Sequence, residues 1–177
     1  KNEFRFVDQR TFGWMALDDL VESSEGLIPR SFARIAFDIF DPEFDRDKVI
    51  SRIGRSKSQI KRVLLDQGII SGIGNIYADE ALWRAKVHPE KIASELTSTE
   101  VLNVITSAEK IMSKALAAGG TSFDQLYINV NGESGYFERS LAVYGREGEP
   151  CRRCSTEIIR IAFANRSSRL CPTCQTR

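Results

Sequence analysis

All four cysteines of the 177-residue chain lie in its last 27 residues, as Cys151-x2-Cys154 and Cys171-x2-Cys174, with sixteen residues between the pairs. Each pair can present two thiolates from one tight turn. Two such turns held together complete a tetrahedral sulfur site, the arrangement zinc prefers. No ligand position is left open, so one structural Zn2+ is expected. Disulfides fit poorly, because no secretory signal is read in the sequence and no other cysteine is present. A unit of about 30 residues has too little core to fold alone. The metal should therefore supply much of its stability.

Between the cysteine pairs, residues 158–163 (Ile-Ile-Arg-Ile-Ala-Phe) have strand character, and Asn165-Arg166-Ser167-Ser168 reads as a turn. The expected β-hairpin carries Arg166 at or near its tip. There it could enter a groove or clamp a phosphate, or simply be solvated. A second constellation lies upstream. The helix-like stretch 57–65 is followed by Asp66-Gln67-Gly68-Ile69-Ile70-Ser71-Gly72-Ile73-Gly74-Asn75, and then by a helix-like stretch to Ala85. Gly72 and Gly74 permit turns closed to other residues, and Asn75 is placed to cap the second helix. A helix N-terminus can bind a phosphate, although an ordinary interhelical turn would look the same.

Net charge is only +1, so its distribution matters more. Residues 15–50 carry nine acids and four bases, whereas 52–62 carry five bases (Arg52, Arg55, Lys57, Lys61, Arg62) and no acid. From Gly145 onward there are seven Arg and three Glu. Each basic cluster adjoins one of the two motifs, which points to phosphate contact.

The elements that must position these residues are mostly helices. Apolar residues recur at helical spacing in 30–40, 46–53, 57–65, 75–85 and 98–118. Ser98 before Glu100 marks a helix start, and Gly119-Gly120 its stop. Residues 4–7 and 12–15 read as two strands of a hairpin, 18–28 as a linker, and 121–141 as a loop rich in Asn, Gly and Ser. The lone His88, before Pro89, is expected to be structural. No apolar run is long enough to span a bilayer, so no membrane partner is expected.

In order along the chain, Leu64-Leu65-Asp66-Gln67, Gly72-Ile73-Gly74-Asn75-Ile76-Tyr77-Ala78-Asp79-Glu80, Gly119-Gly120-Thr121-Ser122, Gly135-Tyr136-Phe137 and Val143-Tyr144-Gly145-Arg146-Glu147-Gly148-Glu149-Pro150-Cys151 resemble bacterial formamidopyrimidine-DNA glycosylases. The resemblance implies a mainly α fold with small β elements. A helix–two-turn–helix bundle (28–142, with a lesion-recognition loop at about 120–137) would be followed by a zinc-finger β-hairpin (143–177). Residues 1–22 would be the last strands of an N-terminal catalytic β-sandwich. It implies excision of oxidised purines such as 8-oxoguanine and formamidopyrimidines through an N-terminal proline Schiff base, then β,δ-elimination. The proline–glutamate start and the sandwich Lys have no counterpart here; the chain opens on Lys1, as expected of the C-terminal part of a longer protein.

The resemblance carries several residues over to DNA: Arg10 and Phe12 as the pair that enters the duplex from the minor groove, Arg55, Ser56 and Lys57 as DNA contacts, Asn75 and Tyr144 as phosphate contacts, and Arg166 as hairpin Arg and δ-elimination proton donor; Lys61, from the same basic run, is also expected to contact DNA. Thr11 stands where the family has an Arg, and Ser56 where some members have a Lys. The implied partner is double-stranded DNA holding an oxidised purine or abasic lesion, bound by a monomer in the bacterial cytoplasm, at the nucleoid. Two other readings remain. One is an endonuclease VIII-like enzyme acting on oxidised pyrimidines, against which stand the long loop and Tyr144-Gly145-Arg146. The other, for the 177 residues alone, is a DNA-binding module without chemistry.

Overall fold

A computed structural model describes residues 3, 5, 6, 13–23, 26–119 and 140–177. Its elements are strands β1 (Leu20–Ser23) and β2 (Gly26–Pro29), helices α1 (Arg46–Gly54), α2 (Ile60–Leu64), α3 (Asn75–Ala85) and α4 (Ser98–Ala117), and strands β3 (Ile159–Phe163) and β4 (Arg166–Leu170). Short 3-10 turns occupy Arg30–Phe32 and Ala93–Glu95. Two antiparallel hairpins, β1–β2 and β3–β4, flank the helices.

The core follows from the apolar spacing of α4. Val101, Val104, Ile105, Ala108, Ile111, Met112 and Ala115 are buried along one face. They pack against α3, whose Ala78, Ala81 and Leu82 are fully buried. Ile53, Ile60, Val63, Leu64, Ile70 and Ile73 complete the same cluster. Helix starts are chemically marked. The Asp45 carboxylate accepts from Lys48 N at 2.9 Å at the head of α1. Thr97 and Glu100 form a reciprocal capping box on α4, so Thr97, not Ser98, is the cap.

The turn between α2 and α3 is built by its own side chains. Gln67 Oε1 accepts from Gly72 N at 2.9 Å, and its Nε2 donates to Ile73 O at 3.2 Å. Gly72 sits at φ +82°, and a Cβ there would lie 2.4 Å from Asp38 Oδ2. Only glycine fits.

Three expectations are corrected. Residues 30–40 form no α-helix: after the 3-10 turn the backbone bridges outward, with Ala36 N donating to Gln67 O and Ser71 N to Phe37 O. Of their apolar side chains Ile39 reaches the core, while Phe32, Ile35, Phe37 and Phe40 are exposed among the described residues, so the helical periodicity marks no buried face. The stretch read as a linker, 18–28, forms most of a hairpin, β1–β2, with Gly26 at φ +103° and Ser23 Oγ donating to Gly26 O; the hairpin expected over 4–7 and 12–15 falls largely outside the described residues. Residues 13–19 are not strand. Finally, Ser167 and Ser168 belong to β4 rather than to a turn.

Candidate nucleic-acid interface

Helix α3 is the spine of the site. At 100° per residue, Asn75, Asp79, Trp83 and Glu80 fall on one arc, and Ala78, Ala81 and Leu82 on the adjoining one. The second arc meets α4; the first meets the cysteine-rich segment. Asn75 is the first helical residue. Gly74 occupies the N-cap position in extended conformation with no side-chain cap, so Asn75 is not the cap expected from its place in sequence. A helix so begun leaves first-turn N–H groups without helical acceptors and a positive dipole end.

Four groups of polar contacts fasten residues between 142 and 175 to this helix and to the turn that follows it. Asp79 is completely buried. Its Oδ1 lies 2.6 Å from Lys61 Nζ and accepts from Ser168 Oγ at 2.7 Å; its Oδ2 accepts from Arg169 N at 3.0 Å. Lys61 Nζ also donates to Ser167 O at 2.9 Å, and Asn75 Nδ2 donates to the same carbonyl at 3.3 Å. The Lys61 ammonium lies 5.2 Å from the centre of the Phe163 ring. Burial pushes the Lys61 ammonium down and the Asp79 carboxyl up, and their mutual contact opposes both shifts. Each charge thus has directional partners, which a buried pair needs.

The second contact is Glu80, whose buried carboxylate accepts the consecutive N–H groups of Ala142, Val143 and Tyr144 at 2.8–2.9 Å. Burial raises its pKa and those three donors lower it. In the third, Trp83 Nε1 donates to Cys151 Sγ at 3.5 Å, while the Arg153 guanidinium stacks 4.0 Å over the indole and donates to Trp83 O. In the fourth, the buried Gln175 amide donates to Val87 O at 2.9 Å and accepts from Cys171 N at 3.0 Å.

The four cysteine sulfurs lie within 4.8 Å of one another, with Cys154 Sγ 3.4 Å from Cys171 Sγ and 3.4 Å from Cys174 Sγ. Tetrahedral Zn–S bonds of about 2.3 Å place sulfurs about 3.8 Å apart, so the donor set fits one structural zinc. The surroundings suit thiolates: Arg153 N and Cys174 N point at Cys151 Sγ and Cys171 Sγ. Burial raises the metal-free Cys151 thiol, but the Arg153 and Trp83 donors bring it down to about 6, whereas burial pushes Cys174 up to about 12.

The sites expected from sequence distribute as follows. Arg166 is exposed at the start of β4, beside the Ala164-Asn165 turn in which Ala164 has φ +50°. Its neighbour Ser167 is the carbonyl that Lys61 and Asn75 hold, so hairpin tip and α3 N-terminus are brought together. Ser56 lines the same groove as Arg166. Arg55 and Lys57 are exposed, with Arg55 Nη2 on Ser51 Oγ at 3.0 Å. Tyr144 is half-buried, its ring 4.2 Å below the Arg169 guanidinium. Lys61 is a correction: with no exposed surface, it cannot contact DNA and serves the hairpin instead. Arg10, Phe12 and the loop at 120–137 lie outside the described residues. His88 is buried; its Nδ1 accepts from Glu90 N at 3.2 Å, a structural role.

Sequence reasoning missed Asp79, Glu80, Trp83 and Gln175. A signal existed for two of them. Asp79 stands four residues after Asn75, and the adjacent Asp79 and Glu80 are the only acidic residues of α3.

Comparison with known proteins agrees with this geometry. Residues 35–126 match the formamidopyrimidine-DNA glycosylase H2TH domain, and residues 148–177 the zinc finger found in FPG and IleRS. The chain is 57% identical over 176 residues to a formamidopyrimidine-DNA glycosylase of Nocardia farcinica, covering 99% of this chain and 60% of that protein. It is 58% identical over 172 residues to one of Mycobacterium avium, covering 97% and 61%. The chain therefore spans about three fifths of the length of these curated relatives. Among solved structures it is similar to the MutM (FPG) protein of Thermus thermophilus (TM-score 0.78, 32% identity, 85% of this chain and 59% of that one). It is also similar to a Lactococcus lactis FPG mutant in complex with Fapy-dG-containing DNA (TM-score 0.76, 34% identity, 85% and 58%).

Proposed function

The chain belongs to the formamidopyrimidine-DNA glycosylase family, and from that premise we propose that it is the DNA-binding C-terminal part of a base-excision-repair enzyme. The complete protein is a DNA glycosylase and abasic-site lyase that removes oxidised purines. An N-terminal proline attacks the sugar carbon, and the resulting Schiff base is resolved by β,δ-elimination. That proline is not among the 177 residues, so the chain alone binds DNA without excising a base.

The observation that carries this reading is the Ser167 carbonyl shared by Lys61 and Asn75. It joins the uncapped end of α3 to the hairpin that bears Arg166, so a helix dipole and a guanidinium address one stretch of backbone. In this reading Arg55, Lys57, Asn75, Tyr144 and Arg166 contact phosphates, with Ser56 beside them. Arg166 also hands a proton to the leaving phosphate in the second elimination. Zinc takes no part in the chemistry; it stiffens the hairpin. The partner is lesion-bearing duplex DNA, met by a monomer in the bacterial cytoplasm.

Borohydride trapping tests the activity. The full-length protein with an 8-oxoguanine duplex should give a covalent protein–DNA adduct, and the 177-residue chain none. No adduct from the full-length protein would contradict the reading.

A further inference from the structure

Lys61 and Arg62 are adjacent on α2 and have opposite fates. Lys61 turns inward and is wholly buried, while Arg62 is exposed. Arg62 lines a groove of about 470 Å³ between α2 and the tip of the β3–β4 hairpin, and Arg166 lines the same groove. Asp66 is the only carboxylate in its lining, and the Asp66 Oδ1 is already bonded to Gly68 N at 2.9 Å. Several other arginines have a carboxylate beside them: Arg46 lies 2.8 Å from Glu109, Arg146 2.8 Å from Glu149 and Arg169 3.5 Å from Glu147. Among the described residues, neither the Arg62 nor the Arg166 guanidinium has a carboxylate partner or a hydrogen bond. Two guanidinium groups facing one groove repel each other unless an anion joins them. The groove's apolar floor, from Val63, Ile69 and Phe163, suits the carbon face of a sugar, and its rim of two Arg suits a diester oxygen pair.

We propose that Arg62 is a second backbone-binding arginine, forming with Arg166 a groove that holds a phosphodiester of the DNA strand. The proposal rests on the nucleic-acid reading above. The Lys61 ammonium, one residue away, fixes the spacing of the two arginines through Ser167 O.

The test is binding of an undamaged 20-base-pair duplex, read by fluorescence anisotropy at several salt concentrations, with the zinc-loaded chain. Arg62→Gln should reduce the slope of log K against log salt by about 0.9, Arg166→Gln by a similar amount, and the double variant by about 1.8. Arg62→Lys, which keeps the charge, should restore most of the slope. Lys110→Gln, on the exposed side of α4, should leave it unchanged. The melting temperature of Arg62→Gln should match that of the parent, because the side chain is exposed. A parent-like slope for Arg62→Gln, with Arg166→Gln reduced, would overturn the proposal and spare the nucleic-acid reading. If the unaltered chain bound no duplex, that reading would fail and the proposal with it.

Discussion

Helix α3 has two faces, and they are held by opposite kinds of force. Toward α4 the contact is apolar: Ala78, Ala81 and Leu82 against Val104, Ile105 and Ala108. Toward the zinc module it is polar and directional: Asp79 to Lys61, Ser168 and Arg169, Glu80 to three N–H groups, Trp83 to Cys151. Apolar packing is tolerant of small displacements; a buried ion pair is satisfied in one arrangement only. The helical body can therefore be stable in its own right, while the hairpin is held in a defined register. Register is what an interface needs when two separate elements must meet one DNA backbone.

The largest effect should come from the metal. Cys171→Ser should abolish zinc binding and unfold the β3–β4 hairpin while leaving the helical signal in circular dichroism intact. Zinc stoichiometry by atomic absorption would check this, and retention of one equivalent would count against it. Next is the polar face. Lys61→Met leaves Asp79 buried without its counter-charge and should cost about 3–5 kcal/mol in chemical denaturation. Adding Asp79→Leu should recover much of that loss, since the pair is then replaced by apolar groups. A double variant as unstable as the single one would show that the hairpin contacts of Asp79, not charge neutrality, dominate. On the apolar face, Leu82→Ala should cost roughly 2–5 kcal/mol by opening a cavity, without altering zinc content. A loss of zinc there would erase the distinction between the two faces.

The smallest effect concerns the start of α4. Thr97→Ala removes the capping box and should cost about 1 kcal/mol. Hydrogen bonds from Thr97 hold the Glu100 carboxyl below its ordinary value of 4.5. The folded pKa is thus depressed, so its contribution is full above pH 4.5 and is lost as pH falls through the folded value. The stability gap between parent and variant should narrow in that acidic range, and a gap constant with pH would exclude the carboxylate's share.

What could be read from sequence was what is local. Cysteine spacing reports a metal site because four ligands in two turns are a property of the chain itself. The periodicity of α4 reports a helix because its apolar face is packed in this molecule. The same periodicity misleads at 30–40, where Phe32, Ile35, Phe37 and Phe40 stay exposed among the described residues. Lys61 misleads for the complementary reason: its sequence neighbours are exposed bases, and only the meeting of α2, α3 and β4 removes it from solvent. Arg62 beside it inherits the surface position. The resemblance brought Asn75 and Arg166 into one interface; the Ser167 carbonyl between them was not legible, because a backbone contact spanning 92 residues leaves no mark on composition.

The central claim is that the zinc hairpin delivers Arg166 to the DNA backbone. Its most direct test is the salt dependence of duplex binding by the zinc-loaded chain and its Arg166→Ala variant. The account predicts weaker binding and a slope reduced by about 0.9, one phosphate equivalent, at unchanged zinc content. An unchanged slope with zinc retained would contradict it.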